Sequence, residues 1–307
     1  MSNKIWAIGS IGIDMLAFAP ALPKAGETMA GSDFLTAPGG KGLNQAIACA
    51  RLGAPTIMIG CRGDDNYGKV VTDYMKDSGV DVSRVRTVSN MYTGTAVIFV
   101  AENGQNSIIV VPGANGKVVN EDVVNLPYQK GDYVVAQFEV PLPVTLTAFK
   151  AAQAKGAKTV LNPSPVLEGA QELISAADYV VLNEVELAIY SGKPVTAETA
   201  DGEIEHVARN LIRHDGQTIV TTLGPRGAIA VNRQEVVSVK GLKVQAIDTV
   251  GAGDTFAGGL AVRLLAGDSL KHALEFANVA ASLSVQKQGA APSIPTLAEV
   301  RNQKAAA

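Results

Sequence analysis

The sequence predicts a three-layer α/β/α sandwich around a mainly parallel sheet, with a small β-sheet lid over one end, and three observations carry that expectation. Short β-rich runs, "TIMIG", "YVVAQ", "KTVLNP", "YVVLNE" and "QTIVTTLG", alternate with amphipathic stretches such as "GKVVTDYMKDSG", "PVTLTAFKAAQAKGA" and "IEHVARNLIRHDG". That rhythm builds right-handed βαβ units whose sheet is covered on both faces. Two regions break the rhythm, residues from about 14 to 38 and 92 to 112; in the second, two β-rich runs flank the turn signal "ENGQN". Finally, 307 residues with 47% hydrophobic content provide an ample core for one domain, 1–307, carrying an accessory element.

From the N-terminus, "IWAIGSIGIDMLAFAPAL" reads as a first strand and the start of a second element. Asp14 in its middle and Lys4 as the only preceding charge argue against a signal peptide. "LNQAIACARLGA" reads as a helix with Leu43, Ile47 and Ala50 on one face. The strands of 14–38 and 92–112 would form a flap over the carboxyl end of the main sheet, where ligands of open α/β sheets bind. An ordinary extension of the sheet is the alternative. No apolar run approaches the ~18–20 residues of a membrane span.

Several chemistries are excluded. "GDDNYGK", residues 63 to 69, has the G-x4-G-K half of a P-loop, but Val70 replaces the magnesium-binding hydroxyl, and Asp64 and Asp65 would repel phosphate. "GSIGID" lacks the dinucleotide spacing, which disfavours a nicotinamide cofactor. HExxH, GxSxG, HRD and DFG sequences are absent, and His206, His214 and His272 are scattered in polar contexts typical of surface residues. A net charge of −3 gives no general attraction to nucleic acid or an anionic membrane, so any phosphate binding must be local geometry. Cys49 and Cys61 show no CxxC spacing; core filling in a reducing, cytoplasmic compartment is expected.

Two glycine-rich stretches remain. In "DTVGAGDTFAGG", residues 248 to 259, Gly251, Ala252 and Gly253 let the backbone approach a ligand, and Asp254 falls where the helix "DTFAGGLAVRLLAG" begins. An Asp N-cap would account for the acid alone. An anion site, with unpaired N–H groups and a helix dipole beside a carboxylate, would account for the glycines too. In "APGGKGLNQA", residues 37 to 46, Gly39, Gly40 and Gly42 bring backbone close, Lys41 is a point charge and Asn44 both donates and accepts. That mix suits a polyhydroxyl ligand, although a turn with a solvated lysine would look the same.

Together, "PGGKGLNQA" and "DTVGAGDTFAGG" resemble the two signatures of the ribokinase-like carbohydrate kinases, the PfkB family. "LNEVE" at 182 to 186 resembles the family's N-x-x-E motif, "TLGPRG" at 222 to 227 its nucleotide loop, and "QGAAPSIP" at 288 to 295 its closing segment, so the resemblance covers essentially the whole chain. It implies transfer of the γ-phosphate of ATP to a sugar hydroxyl, with D-ribose to D-ribose 5-phosphate first. Deoxyribose, a ketohexose, a 2-keto-3-deoxy sugar acid or a nucleoside are the alternatives. From another class, a non-catalytic nucleotide- or sugar-binding regulator would have no need of Asp254 beside its glycine loop.

A kinase must deprotonate an alcohol, hold a triphosphate in line and neutralise charge. The resemblance assigns Asp254 as general base and the N–H groups around Gly251, Ala252 and Gly253 as the anion hole. It implies acceptor contacts from Asp14, Gly40, Lys41, Asn44, Glu139 and Asp254. For the nucleotide it implies Asn183, Thr222, Gly224, Gly227 and Gly253, with Asn278 near adenine. Glu186 would act on Mg2+ through metal-bound water. A monovalent cation, K+, would take oxygens of Asp248, Val250, Ser284, Lys287, Gly289 and Ser293. Ribokinases commonly read Asn-x-Asp where this chain has Gly12-Ile13-Asp14, so one amide contact is missing or comes from elsewhere, and a larger or differently substituted acceptor could use the space left by Gly12. The apolar flap runs "TAVIFV" and "SIIVV" predict a homodimer paired through the flaps.

Overall fold

The computed structural model describes residues 3–306. In chain order its elements are β1 (Ile5–Ile8), β2 (Gly12–Ala19), β3 (Asp33–Gly39), α1 (Lys41–Arg51), β4 (Thr56–Gly63), α2 (Asn66–Asp77), β5 (Asp81–Val88), β6 (Gly94–Ala101), β7 (Asn106–Val111), β8 (Tyr133–Ala136) and α3 (Leu142–Gln153). There follow β9 (Lys158–Leu161), α4 (Gln171–Ala176), β10 (Tyr179–Asn183), α5 (Glu184–Ser191), α6 (Asp201–Arg209), β11 (Thr218–Thr222), β12 (Gly227–Val231), β13 (Val236–Lys240), α7 (Ala252–Leu265), α8 (Leu270–Ser284) and α9 (Leu297–Ala306).

Nine strands form one sheet in the order β13-β12-β11-β10-β9-β8-β1-β4-β5. The pairs from β11 through β5 are parallel, and only β11-β12 and β12-β13 are antiparallel. Successive side chains of a strand feed opposite cores. Ile5 and Ala7 join α1, α7 and α8 on one face, while Trp6 and Ile8 join α3 and α6 on the other. Val181 and its neighbours Val180 and Leu182 divide the same way. Burial on both faces is why these strands read as unbroken apolar runs rather than alternating ones.

The chain leaves β1 towards β4 on one side and later returns to β8 on the other. The carboxyl ends of β1 and β8 therefore part at a topological switch point, where open α/β sheets form a crevice. A separate four-stranded sheet, β3-β2-β6-β7, comes from the two regions that break the βαβ rhythm. β2 pairs antiparallel with β3 and parallel with β6, and β6 and β7 form a hairpin closed at Gly104, whose φ is 83°.

Local departures from the sequence expectation have physical causes. α1 is buried from Gly42 to Cys49, not along one stripe, because α7 packs on its second side. Small residues allow the approach: a Cβ at Gly258 would lie 2.6 Å from that of Ala48. The helix expected over 204–216 stops at Arg209. The next turn tightens into i to i−3 bonds, Leu211 N–H to Ala208 O at 3.0 Å and Ile212 N–H to Arg209 O at 3.2 Å, which lets both side chains reach the core. Asp65 of the false P-loop caps α2 through Gly68 N–H at 2.7 Å and accepts from Thr93 at the root of β6. Cys49 and Cys61 are buried and unpaired. His206 and His272 are exposed and His214 is half-buried. Among the described residues no helix is long and apolar enough to cross a membrane.

Candidate active site

The switch-point crevice is closed from below by α1. Ser10, just beyond β1, donates its hydroxyl to the Glu139 carboxylate, just beyond β8. Glu139 also accepts from Lys41 N–H at 2.9 Å, Ser10 Oγ accepts from Gly42 N–H at 3.3 Å, and Ser10 O accepts from Leu43 N–H at 2.8 Å. The first N–H groups of α1 are thus satisfied by two strand ends rather than by an N-cap side chain. Glycine is required for this docking: Gly40 has φ 96°, and a Cβ at Gly42 would lie 2.5 Å from the Gly9 carbonyl carbon.

α7 begins beside it in a different way. Its N-cap is Gly251 at φ 76°, not Asp254, which is the third helical residue. A Cβ at Gly251 would lie 2.9 Å from that of Ala290, so the loop is both left-handed and tightly packed. Relieved of capping, the Asp254 side chain turns inward and is 4% exposed. Its Oδ2 accepts from Asn44 Nδ2 and its Oδ1 from Gln45 Nε2, each at 3.0 Å. Burial pushes the Asp254 carboxyl above its ordinary range, against the opposing pull of Lys41 and the two amides. Ala252 N–H turns back to Thr249 O at 3.3 Å, which removes it from the expected anion hole. The N–H groups of Gly251, Gly253 and Asp254 make no hydrogen bond among the described residues.

Two cavities meet here. The larger, about 710 Å³, is lined by Gly12, Asp14, Gly40, Lys41 and Glu139 and roofed by Ile108 and Val110 of β7. The smaller, about 200 Å³, is lined by Lys41, Asn162, Asn183, Glu186, Thr222, Gly251, Gly253 and Asp254. Lys41 lines both, and burial pulls its ammonium down, but the carboxylates of Asp254, Glu139 and Glu186 outweigh that and hold it above its usual range. Burial, then Glu139 and Asp254, push Asp14 up to about 6. Its carboxylate occupies the space a Cβ at Gly39 would need. Gly12 lines the larger cavity, while the direction a Cβ would take there is filled, 2.8 Å from the Gly94 carbonyl oxygen of the paired strand.

On the nucleotide side, Asn183 and Glu186 form a reciprocal cap of α5: Asn183 Oδ1 accepts from Glu186 N–H at 2.8 Å and Glu186 Oε2 from Asn183 N–H at 3.0 Å. Burial, as the main cause, pushes the Glu186 carboxyl up. Gly224 and Gly227 bracket the turn between β11 and β12 at φ 52° and 110°. Asn278 lies apart from Asp254, in a third cavity of about 360 Å³ with Val239, Leu242 and Val279, and donates to Lys240 O at 2.7 Å.

The expected cation ligands cluster where the loop before α7 meets the segment after α8. Asp248 accepts from Val250 N–H at 3.0 Å and Gly289 N–H at 2.8 Å, tying the two together. Ser284 and Ser293 donate their hydroxyls to Ala281 O and Ala290 O, each at 2.8 Å, and Lys287 Nζ pairs with Glu299 at 2.7 Å. The remaining donors are oxygens, chiefly main-chain carbonyls, which suits a hard monovalent cation. Among the described residues no three His, Cys, Asp or Glu side chains gather as a metal cage. Magnesium bound through water and phosphate needs none.

Four polar residues of the site escape the sequence reading. Gln45, adjacent to Asn44, straddles the Asp254 carboxylate with it. Gln137 donates to Gln45 Oε1 at 2.6 Å, Asn162 lines the smaller cavity, and Ser10 anchors α1. For Gln137 and Asn162 the available signal was a polar residue directly after an apolar strand run, at the carboxyl ends of β8 and β9.

Comparison with known proteins gives the family. Residues 2–297 match the profile of the pfkB family carbohydrate kinases. The chain is 39% identical to the ribokinase of Staphylococcus aureus over 304 residues, 98% of this chain and 99% of that protein. It is 38% identical to the Haemophilus influenzae ribokinase over 302 residues, 97% of each. The structure of Arabidopsis thaliana ribokinase complexed with ribose and ATP superposes with a TM-score of 0.88 at 33% identity, covering 98% of both chains. The chain belongs to the pfkB family of carbohydrate kinases, enzymes that transfer phosphate to a sugar hydroxyl.

Proposed function

We propose that the protein phosphorylates D-ribose with ATP, giving D-ribose 5-phosphate and ADP, and that Asp254 is the general base. One observation carries this reading: a buried carboxylate, held by two amides, lines a phosphate-sized cavity at an open helix N-terminus, and that cavity shares Lys41 with a sugar-sized one. The acceptor hydroxyl enters from the larger cavity. Its proton passes to Asp254, its oxygen bonds to the γ-phosphorus, and the bond to the ADP oxygen breaks with its electron pair leaving on ADP. A carboxyl raised above its ordinary range is a better base for an alcohol than an exposed one. Free N–H groups of Gly251 and Gly253 and the ammonium of Lys41 offset the charge on the transferring group.

Asp14, Glu139, Asn44 and the Gly40 backbone would hold the sugar hydroxyls, and Thr222, Gly224, Gly227 and Asn278 the nucleotide. Asn183 and Glu186 would hold the water shell of Mg2+, which when bound neutralises phosphate charge. The carbonyl-rich junction at Asp248 and Gly289 would hold K+ and so order the loop that ends at Gly251.

We extend the proposal to assembly. Along β7 the apolar run Ile108, Ile109, Val110 and Val111 is 48–59% exposed, with Ile108 and Val110 on the face that looks into the larger cavity and Ile109 on the other. Pairing of two such sheets in a cytoplasmic homodimer would cover that surface. ADP release measured across D-ribose, deoxyribose, ketohexoses, 2-keto-3-deoxy sugar acids and nucleosides tests the acceptor. The highest kcat/KM with D-ribose is expected, and a higher value for another acceptor, or binding without turnover, contradicts it.

A further inference from the structure

Gln45 is 1% exposed, one residue past Asn44 on α1. A neutral amide this deep is out of reach of solvent, and this one has an internal partner at both ends, whereas the oxygens of Asn44 and Gln137 have none among the described residues. Gln45 Nε2 donates to Asp254 Oδ1 at 3.0 Å, with a longer 3.4 Å approach to Asn162 Oδ1, and its Oε1 accepts from Gln137 Nε2 at 2.6 Å. An amide offers hydrogens on one side and an oxygen on the other, so the end turned to a carboxylate decides between holding it and repelling it. The Asp254 carboxylate, which only accepts, and Gln137, which donates to the opposite end, together favour the holding orientation, although the Oε1 of Gln137 itself has no partner among the described residues. Gln137 is fully buried beyond β8 and packs against Gly9, where a Cβ would overlap its amide oxygen.

We propose that Gln45 is a positioning residue for phosphoryl transfer: oriented by Gln137, its amide pins one oxygen of Asp254 while Asn44 pins the other, fixing the carboxylate's charge and direction. The proposal rests on Asp254 being the base. The charged groups facing Asp254 are Lys41 from α1, Asp14 from β2, Glu139 beyond β8 and Glu186 from α5. Neither glutamine titrates, so losing one alters the hydrogen bonding of Asp254 without adding a charge.

The test is Gln45→Met, close in length and apolar. We expect kcat to fall roughly 10- to 100-fold, the value of one hydrogen bond to a charged group, with little change in either KM. The acidic limb of kcat/KM moves to higher pH, because the carboxylate loses a donor. Gln137→Met, which does not touch Asp254, moves the limb the same way by less. In an Asp254→Asn background, Gln45→Met costs nothing further, since it acts through that carboxylate. A folded Gln45→Met with wild-type kcat and limb, or an additive loss on top of Asp254→Asn, overturns the proposal. Undiminished activity of Asp254→Asn alone overturns the base assignment instead. Should Gln45→Met fail to fold, an unmoved limb in Gln137→Met overturns the proposal.

Discussion

The N-termini of α1 and α7 look alike in sequence, each a glycine-rich run opening a small-residue helix, yet they are finished in opposite ways. α1 is closed by the protein itself: Glu139 and Ser10 take the N–H groups of Lys41, Gly42 and Leu43. α7 is left open, with Gly251, Gly253 and Asp254 N–H groups free among the described residues. A closed terminus spends its dipole on internal anchoring and presents side chains, here Lys41, Asn44 and Gln45, in fixed positions. An open one keeps its donors for an anion that arrives later. Elsewhere α2 and α8 begin on ordinary side-chain caps, Asp65 and Ser269.

The largest effect that sharpens this contrast is expected from Asp254→Asn. The substitution keeps the size of the side chain and removes the base, and kcat should fall by roughly 10²–10⁴-fold. In the wild type, kcat/KM should decline on acidification through a pKa above the ordinary carboxylate value of 3.8, because burial raises Asp254 and the protonated form cannot accept the hydroxyl proton. Steady-state kinetics across pH would read both.

Gly251→Ala should come next. The residue sits at φ 76° with Ala290 2.9 Å from the added carbon, so the loop must shift and the open donors move with it. A misplacement of this kind should lower kcat by up to roughly 10²-fold, while the acceptor KM, set on the α1 side, changes little. Equal loss in both parameters would show that the two termini are not separable.

Ser269→Ala gives the smallest effect and acts as the control. Its hydroxyl accepts from His272 N–H at 3.3 Å at the start of α8. Thermal or denaturant unfolding should register a loss of about 1 kcal/mol, and activity at 25 °C should be unchanged.

Most of the fold could be read before the structure. The runs around Val134, Val160, Val181 and Val220 announce themselves because both faces of a parallel strand are apolar. The small sheet was visible as an interruption, through the turn at residues 102–106. Less legible was α1, whose "AIACA" carries no polar face, since Ala and Cys are small enough for α7 to lie against them. The helix start at Ala252 was hidden by Gly251 and Gly253, poor helix formers that tertiary packing overrides. Within the site, Asp254, Lys41 and Asn44 stood out beside glycines. Gln137 and Asn162 did not, because a lone amide after a strand looks the same whether it ends the strand or serves a site, and Gln45 did not, because nothing local marks a glutamine inside a helix as the partner of a carboxylate 209 residues away in the chain.

The contrast between the two termini is tested most directly by backbone amide shifts on adding a non-hydrolysable ATP analogue with magnesium. The N–H signals of Gly251, Gly253 and Asp254 should move strongly, while those of Gly42 and Leu43, already bonded to Ser10, stay near their positions. Large shifts at Gly42 and Leu43 with none at Gly251 and Gly253 would contradict the account.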